Sequence, residues 1–155
     1  SISKESKKIH SNNIKLKFIG DTSLLTKALQ IKIKEIEKET SRNKRLVLNV
    51  ALNYGGRLDI VNSVNTFYNN KKKIKKITEK DINSGLYTKG QSDVDLLIRT
   101  GGQQRMSNFL LWQSAYAELF FSKKLWPDFD EKIFVNALYF FQNTERKFGS
   151  VSKST

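Results

Sequence analysis

The chain has 155 residues, enough for one domain with a sizeable core and too few for two enzyme domains. A formal charge of +13 beside 38% hydrophobic and 11% aromatic residues excludes a disordered basic tail and describes a basic globular protein, soluble or at most peripheral to a membrane. No run approaches the roughly 18 apolar residues of a membrane span; zero Cys and a single histidine, His10, exclude disulfides and thiol chemistry and set aside most His-based metal sites and Ser-His-Asp catalysis.

The charge is uneven. Residues 1–90 hold 20 of the 28 Lys and Arg but only 8 of the 15 acidic residues, so residues 91–155 are close to neutral. The chain opens on Ser1 rather than Met, which predicts that it starts inside a longer protein.

Apolar runs alternate with helical periodicity, the pattern of an α/β domain with a mainly parallel central sheet flanked by helices. Residues 14–19 (IKLKFI) alternate as a strand and stop at Gly20-Asp21. Thr22 or Ser23 can cap a helix whose apolar stripe is Leu25, Ala28, Leu29, Ile33 and Ile36. Residues 45–52 (RLVLNVAL) form a nearly continuous apolar run, which predicts a strand covered on both faces. Asn53-Tyr54-Gly55-Gly56-Arg57 then turns into a helix expected to point Leu58, Val61, Val64, Phe67 and Tyr68 inward. A Lys-rich stretch, 69–76 (NNKKKIKK), precedes a short helix predicted over 78–86. Residues 95–99 (DLLIR) read as a buried strand ending in Thr100-Gly101-Gly102. A helical stretch near 109–114 and a strand over 117–121 follow. For the last helix, Asp128 and Glu131 supply a capping box after Pro127, with Phe129, Ile133, Ala137, Phe140 and Phe141 on one side.

The strongest chemical constellation is RTGGQQRMSNF at 99–109. In a parallel sheet the loops at the carboxyl ends of strands line the ligand crevice. Glycine amides, a helix N-terminus capped by Ser107 and two arginine forks would suit a diphosphate. The residues alone leave a second reading open, in which Gly-Gly merely turns the chain and both arginines are surface groups, because no G-x-G-x-x-G or G-K-[ST] pattern is present.

The stretch SDVDLLIRTGGQQRMSNFLLWQSAYAELFFSKKLWPDFDEKIF resembles the C-terminal half of the cis-prenyltransferases, above all bacterial undecaprenyl diphosphate synthases. IKLKFIGD at 14–21, LNVALNYGGRLDIV at 48–61 and NTERKFG at 143–149 extend the resemblance in collinear order. It implies one cis-prenyltransferase domain over 1–155, with an apolar product tunnel beside the sheet, acting as a magnesium-dependent homodimer on isopentenyl diphosphate and an allylic diphosphate. The product would be a long polyprenyl, undecaprenyl, diphosphate lipid carrier made in the cytoplasm, with peripheral contact at the inner face of the membrane. By the same resemblance Arg99, Arg105, Met106 and Ser107 are expected to bind the isopentenyl diphosphate, and Glu118 to be a magnesium ligand. Leu46 matches a leucine at the closed end of the tunnel, or is a plain core leucine.

Departures from the family pattern matter as much. The N-terminal aspartate motif, HMDGNGRWA in many bacterial members, has no counterpart here, so the 155 residues are expected to be inactive alone with no catalytic residue of their own. Gln104 stands where some members have His and takes no metal role; Lys147-Phe148-Gly149 replaces the usual Arg-Phe-Gly and loses its bidentate fork. Two alternatives remain: a non-catalytic partner subunit of a two-subunit synthase, and a basic nucleic-acid-binding module suggested by the charge and by 69–76. The second is disfavoured, since no aromatics interleave with those lysines.

Overall fold

The computed structural model describes residues 9–69 and 76–145. The chain forms two compact units, Ser1–Gly90 and Gln91–Thr155.

In the first unit, β1 (Ile14–Ile19) and β2 (Leu46–Ala51) pair in parallel, in register from Ile14 opposite Leu46 to Ile19 opposite Ala51. The crossover is α1 (Lys27–Thr40). β1 is an edge strand whose outer backbone groups are met by side chains. Thr40 Oγ1 accepts from the Leu16 amide at 3.0 Å, Glu37 Oε1 from the Phe18 amide at 2.8 Å, and Asn43 Nδ2 donates to the Ile14 carbonyl at 2.7 Å. These bonds occupy positions that another strand would need, a common protection of a sheet edge.

α1 begins later than the sequence suggests. Thr22–Leu24 is a separate single turn capped by Asp21, whose carboxyl is held below its ordinary value by the Ser23 hydroxyl and amide. The cap of α1 itself is Thr26, which accepts from the Leu29 amide. Ile33, Ile36 and Thr40 are its buried stripe, while Ala28 is exposed. The expectation that β2 is covered on both faces also fails: Leu46 is 53% exposed, and Val47 and Leu48 are exposed beside it. Among the described residues β2 gains backbone pairing from β1 only, and α1 lies over β1. Leu46 is therefore no core leucine.

α2 (Gly56–Asn69) packs on α3 (Glu79–Gly85) with a face rotated from the one predicted, so that of the five residues expected inward Phe67 alone is buried. Gly56, Asp59, Ser63 and Phe67 are buried, whereas Leu58, Val61 and Tyr68 are exposed. The reason is close approach with specific polar pairing. Ser63 Oγ donates to the Ile82 carbonyl at 2.6 Å, and Gly85 passes so near Ser63 that a Cβ there would lie 2.3 Å from its Oγ. Asp59, only 1% exposed, accepts from the Tyr54 hydroxyl and the Tyr87 amide, both at 2.9 Å. α3 matches its sequence signal, with Thr78 and Asp81 closing a reciprocal capping box.

In the second unit, β3 (Leu96–Arg99) and β4 (Glu118–Phe121) pair in parallel, from Leu96 opposite Glu118 to Arg99 opposite Phe121. Their crossover contains no helix: Ser107, Asn108 and Leu110 have φ of 48°, 64° and 45°, so 107–116 is a series of turns. α4 (Glu131–Gln142) starts at Asp130, whose carboxylate accepts from the Ile133 amide at 2.9 Å. The expected Asp128–Glu131 box does not form, because Asp128 belongs to the preceding Trp126–Asp128 turn set by Pro127. Ala137 is the buried residue of α4, and Phe140 meets Phe120 of β4 with ring centres 5.7 Å apart. No described helix is long and apolar enough to cross a membrane. Most of the 69–76 lysine run and all of Lys147-Phe148-Gly149 lie outside the described residues.

Candidate functional site

β3 carries Leu97 and Ile98 into the interior and delivers Arg99 at its carboxyl end. One nitrogen of Arg99 organises the loop beyond it: Nη1 donates to the Arg105 carbonyl and, at 2.8 Å, to Ser107 Oγ. A guanidinium nitrogen has two hydrogens, and both are used here to hold the loop in place. The left-handed backbone at Ser107 turns its hydroxyl back toward Arg99 rather than capping a helix.

The loop folds Arg99, Arg105, Met106 and Ser107 around one pocket of about 300 Å³, closed on its apolar side by Leu97, Ile98 and Phe109. All four residues expected to bind diphosphate therefore come together. Neither arginine is ion-paired with a carboxylate among the described residues. The sequence reading missed the apolar lining, although Leu97, Ile98 and Phe109 stand within and beside the motif that it singled out.

Two of the expected anion donors are otherwise engaged. Gly101 and Gly102 adopt φ of 86° and 75°, but their amides donate to the Lys124 and Ser122 carbonyls at 2.7 and 2.9 Å. The glycines thus extend the β3–β4 hydrogen bonding past the strand ends, and they do not cradle an anion. With no helix at 107–116 there is no helix N-terminus either, so the positive character of the pocket comes from the two guanidinium groups.

Glu118 lies elsewhere. It opens β4 opposite Leu96, three positions from the level of Arg99, and strand alternation therefore puts Glu118 and Arg99 on opposite faces of the pair. Glu118 shares its face with Phe120, which packs toward α4, and with Ile98, which reaches the pocket; Glu118 itself does not line it. Magnesium needs oxygen ligands in near-octahedral array, usually one or two carboxylates beside substrate phosphate. The pocket lining offers no carboxylate, and no cluster of three or more His, Cys, Asp or Glu able to hold a metal occurs among the described residues. The described residues do not fit a magnesium site around this pocket.

These features define a class, the parallel α/β domain with a cationic, apolar-backed pocket at a strand's carboxyl end. Residues 1–149 match the family model described as "Putative undecaprenyl diphosphate synthase". A ditrans,polycis-undecaprenyl-diphosphate synthase of Pasteurella multocida, (2E,6E)-farnesyl-diphosphate specific by name, is 48% identical over 153 residues, which are 96% of this chain and 64% of the relative. An isoprenyl transferase of Prochlorococcus marinus is 45% identical over 97% of this chain and 57% of its own length. Among solved structures, a probable undecaprenyl diphosphate synthase from Campylobacter jejuni superposes with a TM-score of 0.87 at 34% identity, covering 96% of this chain and 69% of that one. The lavandulyl diphosphate synthase of Lavandula x intermedia, in complex with dimethylallyl diphosphate, gives 0.89 at 34% identity, with 96% and 66% covered. The chain belongs to the cis-prenyltransferase family, among the undecaprenyl diphosphate synthases. It spans less than two thirds of the length of the first curated relatives it matches.

Proposed function

We propose that this chain is the isopentenyl-diphosphate-binding part of an enzyme that elongates an allylic diphosphate by cis condensation toward undecaprenyl diphosphate. The supporting observation is the pair of guanidinium groups, Arg99 and Arg105, that have no carboxylate partner among the described residues and line an apolar-backed pocket. In each condensation the allylic carbon–oxygen bond breaks and its diphosphate leaves. The double bond of isopentenyl diphosphate attacks that carbon, and the adduct loses one proton.

The chain's own residues contribute binding and orientation. Arg105 holds the isopentenyl diphosphate with forked, charge-assisted bonds. Arg99 fixes the loop through Nη1 and offers its remaining nitrogens to the same anion, and Ser107 adds a hydroxyl beside it. Leu97, Ile98 and Phe109 suit the five-carbon body and exclude water from it. Fixing the nucleophile in this way lowers the barrier through lost freedom already given up on binding. None of the described residues is assigned to ionising the allylic partner.

The other expectations enter as parts of this proposal. One domain over 1–155 joins the two units, a homodimer is supported by the exposed apolar face of α4, and peripheral contact with the inner face of the membrane is supported by the apolar product and the basic first unit. Exposed Leu46 and Leu48 suit the wall of an apolar product tunnel better than they suit water. Removing one fork from a phosphate clamp costs roughly 1.5–3 kcal/mol, about 10- to 150-fold in affinity. Calorimetry with isopentenyl diphosphate should show that loss in Arg105→Ala with its circular dichroism unchanged; equal affinity would remove Arg105 from the site.

A further inference from the structure

We infer that the outer crest of α1, Lys27, Ile31, Lys34 and Lys38 with Leu24 beside it, is the surface by which this protein docks on an anionic phospholipid bilayer. The inference deepens the peripheral-membrane reading proposed above and rests on it.

The crest follows from helix geometry. Ile33, Ile36 and Thr40 are the buried stripe of α1. At 100° per residue, Lys27, Ile31, Lys34 and Lys38 fall at four-, three- and four-residue spacing along the opposite side, and all four are exposed. Ile31 is 59% exposed and Leu24, in the turn leading into the helix, is 79% exposed. Arg42 continues the same line past the helix end and is also exposed.

The acidic residues of α1 do not cancel this stripe. Glu35, one turn beyond Ile31 and beside the crest, is ion-paired with Lys32 at 3.1 Å, and Glu37 is turned to the β1 edge, where it accepts from the Phe18 amide. Glu39 lies about 100° away from the crest, on the flank shared with Glu35. The outermost line is therefore cationic and aliphatic but for Glu35, whose charge Lys32 balances.

That composition selects the partner. Lysines opposite lipid phosphates and two aliphatic side chains entering the headgroup region are the two components of interfacial binding. A nucleic acid would use the lysines but has nothing to offer Leu24 and Ile31, and the crest has no aromatic side chain on which a base could stack. A bilayer partner also suits the chemistry proposed above, since a long polyprenyl product is insoluble in water and must be passed to a membrane.

The test is vesicle co-sedimentation of the purified protein. Mixed phosphatidylglycerol/phosphatidylcholine vesicles should bind it and pure phosphatidylcholine vesicles should not, with binding weakened by added salt. Replacing Lys27, Lys34 and Lys38 together by Gln, a good helix former, should cost about 5-fold in partitioning per lysine and about 100-fold in total. Ile31→Gln should weaken binding without altering its salt dependence. A control with the same loss of charge, Lys80→Gln, Lys89→Gln and Lys132→Gln, should stay within a few-fold of the unaltered protein. Failure of the unaltered protein to bind anionic vesicles would overturn the membrane reading and this surface together. Binding that survives the crest substitutions, or falls equally in the control, would overturn the surface and leave the membrane reading standing. Competition of vesicle binding by a single-stranded oligonucleotide at comparable concentration would overturn the lipid assignment in favour of nucleic acid.

Discussion

Arg99 is bound on one side to its own loop, and the proposed function asks its remaining nitrogens to meet an anion, so the two roles make opposite demands on a substitute. Lysine keeps the charge but is a single point of donors and cannot reach the Arg105 carbonyl and Ser107 Oγ while still facing an anion. Arg99→Lys is therefore expected to weaken isopentenyl diphosphate binding at least 10-fold, more than Ser107→Ala, which removes one acceptor of a charged donor and should cost about 1.5 kcal/mol or somewhat less. Calorimetry on the two variants checks the order, and a larger loss in the serine variant would contradict it. Glu118→Gln provides the contrast, since the carboxylate lies on the other face of the strand pair. Metal-free binding should be unchanged in it, and a weakened affinity would mean that Glu118 reaches the pocket. Asp59 is a residue of another kind. It is buried with the Tyr54 hydroxyl and Tyr87 amide as donors, so Asp59→Ala leaves both without their acceptor. The expected cost is about 3 kcal/mol in urea denaturation, against about 1 kcal/mol for Tyr54→Phe.

At the scale of elements, α2 and α3 show how polar pairing can overrule an apolar pattern. A methyl group at Gly85 would stand 2.3 Å from Ser63 Oγ and 2.8 Å from Ser63 Cα, so Gly85→Ala must push the helices apart. A loss of about 1–3 kcal/mol is expected from such overpacking. Because the clash also involves the backbone of Ser63, adding Ser63→Ala should not restore stability; recovery in the double variant would place the strain in the hydroxyl alone. The same helix pair marks the limit of what was legible beforehand. β1 and the grouping of Arg99, Arg105, Met106 and Ser107 were readable because each rests on a local signal, alternation in the first and close sequence spacing in the second. The inward face of α2 was not, since Leu58, Val61 and Tyr68 have the right spacing and only the approach of Gly85 explains why Asp59 and Ser63 are buried instead. The helix expected near 109–114 failed similarly. Its composition is helical, but the turn that brings Ser107 to Arg99 puts three residues in left-handed backbone that a helix cannot contain.

At the scale of the whole molecule, the excess charge belongs to the first unit while exposed apolar side chains occur in both, and the two kinds of surface suggest different partners. The first unit carries most of the excess charge and the cationic crest of α1. The second is close to neutral and presents an exposed apolar helix face. On α4, Phe134, Val135, Leu138 and Tyr139 repeat at the spacing of one face and are between 37% and 60% exposed. Val135, Leu138, Tyr139 and Gln142 enclose a shallow recess of about 220 Å³. Contiguous apolar area of this kind is uncommon on a soluble monomer and usually marks an interaction surface. A second copy of the chain is the occupant proposed here, and the face fits a self-complementary contact in which each helix places side chains into the recess of the other. Leu138→Glu tests it with little risk to the fold, because Ala137, not Leu138, is the buried residue of the helix. Sedimentation velocity should show a dimer for the unaltered protein and a shift to monomer in Leu138→Glu, with helical content unchanged. Because no residue of α4 lines the pocket proposed for isopentenyl diphosphate, its affinity should fall no more than about 2-fold in the monomeric variant, less than the roughly 1.5 kcal/mol loss of one charged hydrogen bond. A dimer that persists through the substitution would move the contact away from α4, and a monomer with lost affinity would mean that the pocket depends on the partner copy.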